Sequence, residues 1–331
     1  MAWPCYPAPR PSKAGAPGSN IDESMGVTCT GICIALRVVL TIPWLSILVA
    51  ASAAEDALRQ PELIEFRSGD LDLKGFIWKP AGAGPFPAIL WNHGSEKSPG
   101  AVDSVAVFFV TRGYVFFVPH RRGQGRSPGP YIMDQLKTAG SAAQRSLMLV
   151  RLHEAHFSDQ LAALTYLRGL PSVDQRRLTV MGFSFGGIQT MLAVGRGPGY
   201  RVAVNCSGAA QTWSSSPDLQ RRLITAARGA AMPVFFLQAQ NDYDLTPNRV
   251  LSEQVRASGQ RTESRVYPAH GISAQDGHRF LCARGERLGT GCCQIHRSAL
   301  EVTFETLWLA SAPCSNSARH SVRRRRPCGR T

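Results

Sequence analysis

After Ala53 the chain alternates short apolar runs with longer stretches whose apolar positions recur at helical spacing. Residues 62–66 and 72–78 read as an opening pair of strands, the second alternating through Leu73, Gly75 and Ile77. Residues 86–91 and 114–118 are continuous apolar runs bounded by Pro and Gly, the pattern of strands buried on both faces of a parallel sheet. Between them, 102–111 predicts a crossover helix. Phe157, Leu161, Leu164 and Leu167 share one helical face on a segment that places Asp159 in a first turn and ends at Leu170-Pro171. Four strands at 178–181, 202–205, 234–238 and 263–267 follow, with helices at 218–227 and 249–257 in between. Alternation of this kind predicts the α/β class: a mostly parallel central sheet with helices on both faces.

Composition narrows the picture. Of 331 residues, 44% are hydrophobic and 18% charged, which excludes wholesale disorder and fits one catalytic domain at 54–281. The formal charge of +14 raises the possibility of an anionic partner, but the excess is concentrated in Arg323 to Arg326 or scattered without interleaved aromatics. Nucleic acid is therefore not the expected partner. Nine cysteines show no metal-ligand spacing: Cys292 and Cys293 are adjacent where a zinc site would space its ligands, and Cys206 is alone in the central region. No metal and no cofactor are expected.

The two ends read differently from the middle. Residues 1–24 are rich in Pro, Gly, Ala and Ser without apolar period, as expected of a disordered or untranslated leader. Residues 25–53 have a signal-peptide layout. Arg37 precedes the apolar run 38–50, small residues Ala51-Ser52-Ala53 follow, and Glu55-Asp56 turn the chain acidic. The run is shorter than a bilayer span and contains Pro43, so cleavage after Ala53, a periplasmic or secreted location and no lasting membrane span are expected. From 282 to 331 the chain becomes a basic Cys- and Arg-rich tail with one weakly amphipathic stretch at 299–309, the composition of a divergent end or of an altered reading frame.

The candidate chemistry centres on Met181-Gly182-Phe183-Ser184-Phe185-Gly186-Gly187, a GxSxG pattern between a predicted strand and a predicted helix. A serine on such a turn sits in a strained backbone conformation with its hydroxyl exposed over the sheet edge, and glycine neighbours let other segments pass close. A hydroxyl nucleophile needs a base. His278, after the last strand, is the first candidate and His270 its rival, while His153 and His156 read as surface or capping residues at a helix start. An acid must orient the imidazole, and the loop after 234–238 offers Asp242 and, less close to the strand end, Asp244. Two backbone amides must hold the developing oxyanion: that of Phe185, at the start of the helix, and that of Ser95, in the Gly turn after 86–91. His93 then reads as a structural residue of that turn.

The motifs NHGSE at 92–96, PHRRGQGRSPG at 119–129, GFSFGG at 182–187, QNDYDLTP at 240–247 and DGH at 276–278 resemble the dienelactone-hydrolase-like branch of the α/β-hydrolase superfamily over residues 60–280. The resemblance implies the α/β-hydrolase fold and a triad of Ser184, Asp242 and His278, in the chain order that this fold uses. Dienelactone hydrolases proper carry a cysteine nucleophile where this chain has Ser184, so the lactone substrate is not carried over. The same motifs are similar to the catalytic domains of prolyl-oligopeptidase-type enzymes. Those peptidases carry a large additional domain for which 54–61 leaves no room, so the expected activity is cleavage of a small-molecule ester through an acyl-enzyme. A peptidase and a non-catalytic binding protein are the alternatives. Pocket walls are expected from loops at 131–154 and 209–216, with Trp213 as lining or core.

Overall fold

All eight expected strands form and join one sheet: β1 (Glu62–Ser68), β2 (Leu71–Trp78), β3 (Phe86–Asn92), β4 (Val115–Pro119), β5 (Val173–Phe183), β6 (Val202–Cys206), β7 (Val234–Ala239) and β8 (Thr262–Tyr267). Their spatial order is β1-β2-β4-β3-β5-β6-β7-β8. The first two pairings are antiparallel, and from β4 to β8 every pairing is parallel. The computed structural model describes residues 60–281 together with 299–301, 303 and 305. The leader, the signal-peptide segment and most of the tail lie outside the described residues. No helix among the described residues is long and apolar enough to cross a membrane.

The period-2 alternation of the strands sorts the core onto the two faces of the sheet. Ala88, Leu90, Val115, Phe117, Leu178 and Val180 face one way. They pack against helices α3 (Ala142–Arg168), α4 (Phe185–Arg196), α5 (Pro217–Arg228) and α6 (Thr246–Ala257). The intervening Ile89, Trp91, Phe116, Val118, Met181 and Phe183 face α1 (Asp103–Val110) on the other side. Phe280, Leu281, Ala299 and Leu300 are buried in that second cluster, so residues from beyond Cys282 help to cover that face of the sheet. The α/β-hydrolase architecture expected from the motifs is the one observed.

The chain runs from β3 to β4 in one direction across the sheet and from β5 to β8 in the other, so the connectivity reverses between the paired strands β3 and β5. In open α/β sheets, loops at the carboxyl ends of strands flanking such a point carry the ligand site. Here those loops hold Ser95 and Ser184.

Two sequence expectations are corrected. The helix expected to begin near Asp159 begins at Ala142, capped by the Ser141 hydroxyl, which accepts a hydrogen bond from the Gln144 amide at 3.2 Å. His153, His156 and Asp159 therefore lie mid-helix and buried, not at a surface start. The polar look of their segment hid a helix whose inner face carries histidines and an aspartate. The expected loop at 131–154 is correspondingly helical for most of its length, as α2 (Ile132–Lys137) and the first half of α3.

Candidate active site

Ser184 stands between the end of β5 and the start of α4 with φ 56° and ψ −117°, a backbone conformation that side chains other than glycine rarely adopt. Two contacts hold it there. Its amide donates to the Cys206 carbonyl on β6 at 2.9 Å, and its own carbonyl accepts from the Gly187 amide at 2.9 Å. The flanking glycines are required by close approach: a Cβ on Gly182 would lie 2.1 Å from the Gly186 carbonyl oxygen, and one on Gly186 would lie 1.8 Å from that of Asn92. The turn after β3 thus rests directly on the first turn of α4.

The Ser184 hydroxyl lies 2.9 Å from His278 Nε2, and His278 Nδ1 lies 2.8 Å from Asp242 Oδ1. Ser184, Asp242 and His278 are all buried, at 6%, 8% and 3% exposure, so the chain of contacts is shielded from bulk water. Asp242 also accepts from the Tyr243 amide at 2.7 Å and from Gln238 Nε2 at 2.8 Å. These bonds leave it positioned to accept a hydrogen bond from Nδ1–H of the imidazole. Asp244 has a different job, since its Oδ1 accepts from the Thr246 amide at the start of α6 and its carbonyl accepts from Gln238.

His278 is the last residue of a short helix, α7 (Ala274–His278), where a loop was expected. Asp276 of the DGH motif caps this helix: its Oδ2 accepts from the Ser273 amide and hydroxyl, and the Ser273 hydroxyl accepts from the Asp276 amide in return. Those bonds hold the Asp276 carboxyl below the usual carboxylate range. Gly277 serves close packing and not an unusual turn, since a Cβ there would lie 2.5 Å from Asn241 Oδ1. Asn241 in turn donates to the carbonyls of His270 and Ser273 and accepts from the His270 amide, each at 2.9 Å. The loop that carries Asp242 and the segment leading to His278 are therefore pinned by one side chain. Phe183 and Tyr243 flank the His278 ring at 5.0 and 5.6 Å between centroids.

On the opposite side of Ser184 the adjacent arginines of the PHRRGQG motif divide. Arg122 forms a two-pronged ion pair with the buried Asp159 on α3, at 2.9 and 2.7 Å. Arg121 is buried and reaches the turn after β3, donating from Nη2 to the Gly94 carbonyl at 2.6 Å. His93 Nδ1 lies 3.0 Å from that same carbonyl, and His93 Nε2 accepts from the Arg121 amide at 3.4 Å, so the neutral Nδ1–H tautomer fits. Burial, reinforced by the charge of Arg121, holds His93 well below the ordinary histidine range. The same two causes act on His156, lowered to about 3, and burial dominates for His153 as well. His153 packs edge-on against the Phe185 ring at 4.9 Å, and its carbonyl accepts from Gln189 Nε2 at 2.9 Å. Trp213 is buried in the core cluster of the α4 face. Among the described residues no group of His, Cys, Asp or Glu is arranged to hold a metal ion.

The sequence signature of the dienelactone hydrolase family matches residues 73–291, a segment containing every one of these side chains. The chain belongs to that family. Over 163 residues it is 28% identical to an uncharacterized peptidase, YtmA, of Bacillus subtilis (strain 168), with 48% of this chain and 56% of the relative covered. The chain thus spans little more than half the length of that curated relative. Solved structures with the same fold include a Pyrococcus horikoshii acylaminoacyl peptidase at 17% identity and TM-score 0.58, with 78% of this chain and 43% of that one covered. A putative dienelactone hydrolase of Klebsiella pneumoniae matches at 14% identity and TM-score 0.55, over 75% of this chain and 98% of that one. A Pyrococcus furiosus esterase matches at 15% identity and TM-score 0.53, over 77% and 92%. At these identities the likeness is one of fold.

Sequence reasoning named Ser184, Asp242, His278, Phe185 and Ser95, and the structure brings the first three into one hydrogen-bonded line. It passed over Arg121, Gln238 and Asn241. Each sits in or beside a quoted motif, but a single sequence does not reveal which way a side chain turns.

Proposed function

We propose that this family member cleaves carboxylic esters of small molecules through an acyl-enzyme, with Ser184 as nucleophile, His278 as general base and then acid, and Asp242 as the group that orients the imidazole. The contact between the Ser184 hydroxyl and His278 Nε2 at 2.9 Å carries the proposal. As the hydroxyl oxygen attacks the ester carbonyl, its proton passes to Nε2, and the imidazolium is stabilised by Asp242 across Nδ1. The tetrahedral oxyanion meets the amide of Phe185, one of the first N–H groups of α4, which have no partner within the helix. The amide of Ser95 is its second donor. The protonated imidazole then delivers the proton to the departing alkoxide, and water repeats the sequence to release the acid.

The ester bond is favoured by membership in the dienelactone hydrolase family, with Ser184 in place of the family's cysteine keeping the lactone itself from being carried over. Peptide cleavage is the second reading, supported by the peptidase name of the Bacillus relative. A fluorophosphonate probe should label the wild type and fail to label Ser184→Ala. A panel of acyl nitrophenyl esters and acyl-aminoacyl anilides then separates the two substrates. Turnover of anilides with kcat/KM equal to that of the esters overturns the ester assignment, and equal labelling of Ser184→Ala overturns the mechanism. The apolar run at 38–50 also supports export with cleavage after Ala53, which N-terminal sequencing of secreted protein would test.

A further inference from the structure

The second oxyanion donor has to be aimed, and Ser95 lies on a turn without regular secondary structure. A trans peptide is planar, and its carbonyl and the following N–H point in opposite directions. Whatever holds the Gly94 carbonyl therefore sets the direction of the Ser95 amide. That carbonyl accepts from Arg121 Nη2 at 2.6 Å, from the neutral His93 Nδ1–H at 3.0 Å, and more loosely from Gln124 Nε2 at 3.3 Å. The next carbonyl along, that of Ser95, accepts from the Tyr131 hydroxyl at 2.6 Å. Both carbonyls flanking the amide are tied down, while the preceding Asn92 and His93 carbonyls lie against Gly186 on the first turn of α4.

We propose that Arg121 is a positioning residue for ester cleavage: by gripping the Gly94 carbonyl from the interior, it directs the Ser95 amide towards the oxyanion formed at Ser184. The inference rests on the serine-hydrolase reading above and deepens it. Two features indicate a purpose beyond packing. A guanidinium is costly to bury, and burial draws that of Arg121 down to about 10 against the opposing influence of Glu96 and Asp159. Its neighbour Arg122 already ties the 119–129 loop that carries both arginines to α3 through Asp159, so Arg121 is not needed as the anchor of that loop. Arg121 Nε also donates to Gln124 Oε1 at 3.3 Å, and Gln124 Nε2 donates to the Glu96 carbonyl at 2.7 Å, which ties both sides of the turn to one guanidinium. The planar group suits this task better than an ammonium, because it spreads fixed donors over several acceptors at once.

The test compares wild type, Arg121→Met, Arg121→Lys and Tyr131→Phe in the full chain, with active sites counted by fluorophosphonate titration. The substrates are a nitrophenyl ester and its thiono (C=S) counterpart. Backbone N–H donors discriminate against sulfur, so the oxygen-to-sulfur rate ratio reads the oxyanion contact directly. Arg121→Met should lose about 100-fold in kcat per titrated site with KM changed less than about threefold, as for removal of one oxyanion donor. Its oxygen-to-sulfur ratio should fall with kcat, and Arg121→Lys should recover part of both. Should Arg121→Met fail to fold, Arg121→Lys and Tyr131→Phe are expected to show the reduced ratio. A kcat within twofold of wild type in the folded variants, or a lower kcat with an unchanged ratio, overturns the proposal. A wild type that neither labels nor hydrolyses overturns the parent reading and this one together, whereas an active wild type with an unaffected Arg121→Met overturns this one alone.

Discussion

His156→Leu should flatten the acid limb of the stability curve. Both ring nitrogens of His156 are buried mid-helix without a hydrogen-bond partner, and Arg121 and Arg122 add positive charge nearby. Its pKa in the folded state is lowered to about 3 from the ordinary 6.5. Because the folded value is depressed, the unfolded chain binds the extra proton, and stability present above pH 6.5 is lost as the pH falls towards 3. Integrating one proton between pH 7.5 and pH 5 gives a loss of about 2 kcal/mol from this residue alone. His93 and His153 act in the same direction in both proteins, and removing His156 takes away one of the charges that lower them, which adds to the relief in the variant. Urea unfolding of wild type and His156→Leu at the two pH values measures the difference: the variant should lose about 2 kcal/mol less than the wild type. Equal losses within about 0.5 kcal/mol would refute the claim that a neutral, desolvated imidazole sits behind the site.

Two further substitutions probe the frame around Ser184. Gly186→Ala places a Cβ 1.8 Å from the Asn92 carbonyl, so the turn after β3 and the start of α4 must separate; fluorophosphonate labelling should slow by about tenfold or more, and a wild-type rate would contradict the packing argument. Asn241→Ala removes three hydrogen bonds between the acid loop and the segment leading to His278. It should cost about 2–3 kcal/mol in urea unfolding and lower kcat more than it raises KM, and an unchanged kcat would show that His278 is held by other means.

Burial of histidines behind a serine site has a structural rationale. The inner face of α3 carries His153, His156 and Asp159, so the side of the molecule nearest Phe185 is polar, with neutral imidazoles at neutral pH beside the Arg121 guanidinium and the Arg122–Asp159 pair. Such a layer can hold loops by directed hydrogen bonds where an apolar contact would allow sliding. The Gln189 side-chain amide, 2.9 Å from both His153 Nδ1 and the His153 carbonyl, ties α4, which begins beside Ser184, to α3 by this means.

What could be read from the sequence was whatever depends on near neighbours. Period-2 and continuous apolar runs located all eight strands, because a strand's side chains take alternate faces whatever it later pairs with. GxSxG placed Ser184, because Gly182 packs against Gly186 within the turn itself, even though Gly186 also answers to the Asn92 carbonyl of a distant segment. Contacts between distant segments were a different matter. That Asp242 and not Asp244 meets the imidazole depends on Gln238 and on the way α6 is capped. His278 reaches Ser184 because α7 is docked through Asn241, and His270 lies within the clamp that docks it. The stretch ahead of Asp159 concealed more than half of a helix, since histidines at its middle count as surface residues until a partner element buries them. Arg121 was visible in its motif, yet its direction was not: two successive arginines on a turn must point apart, and only the packing of α3 on one side and the Gly94 turn on the other decides which goes where.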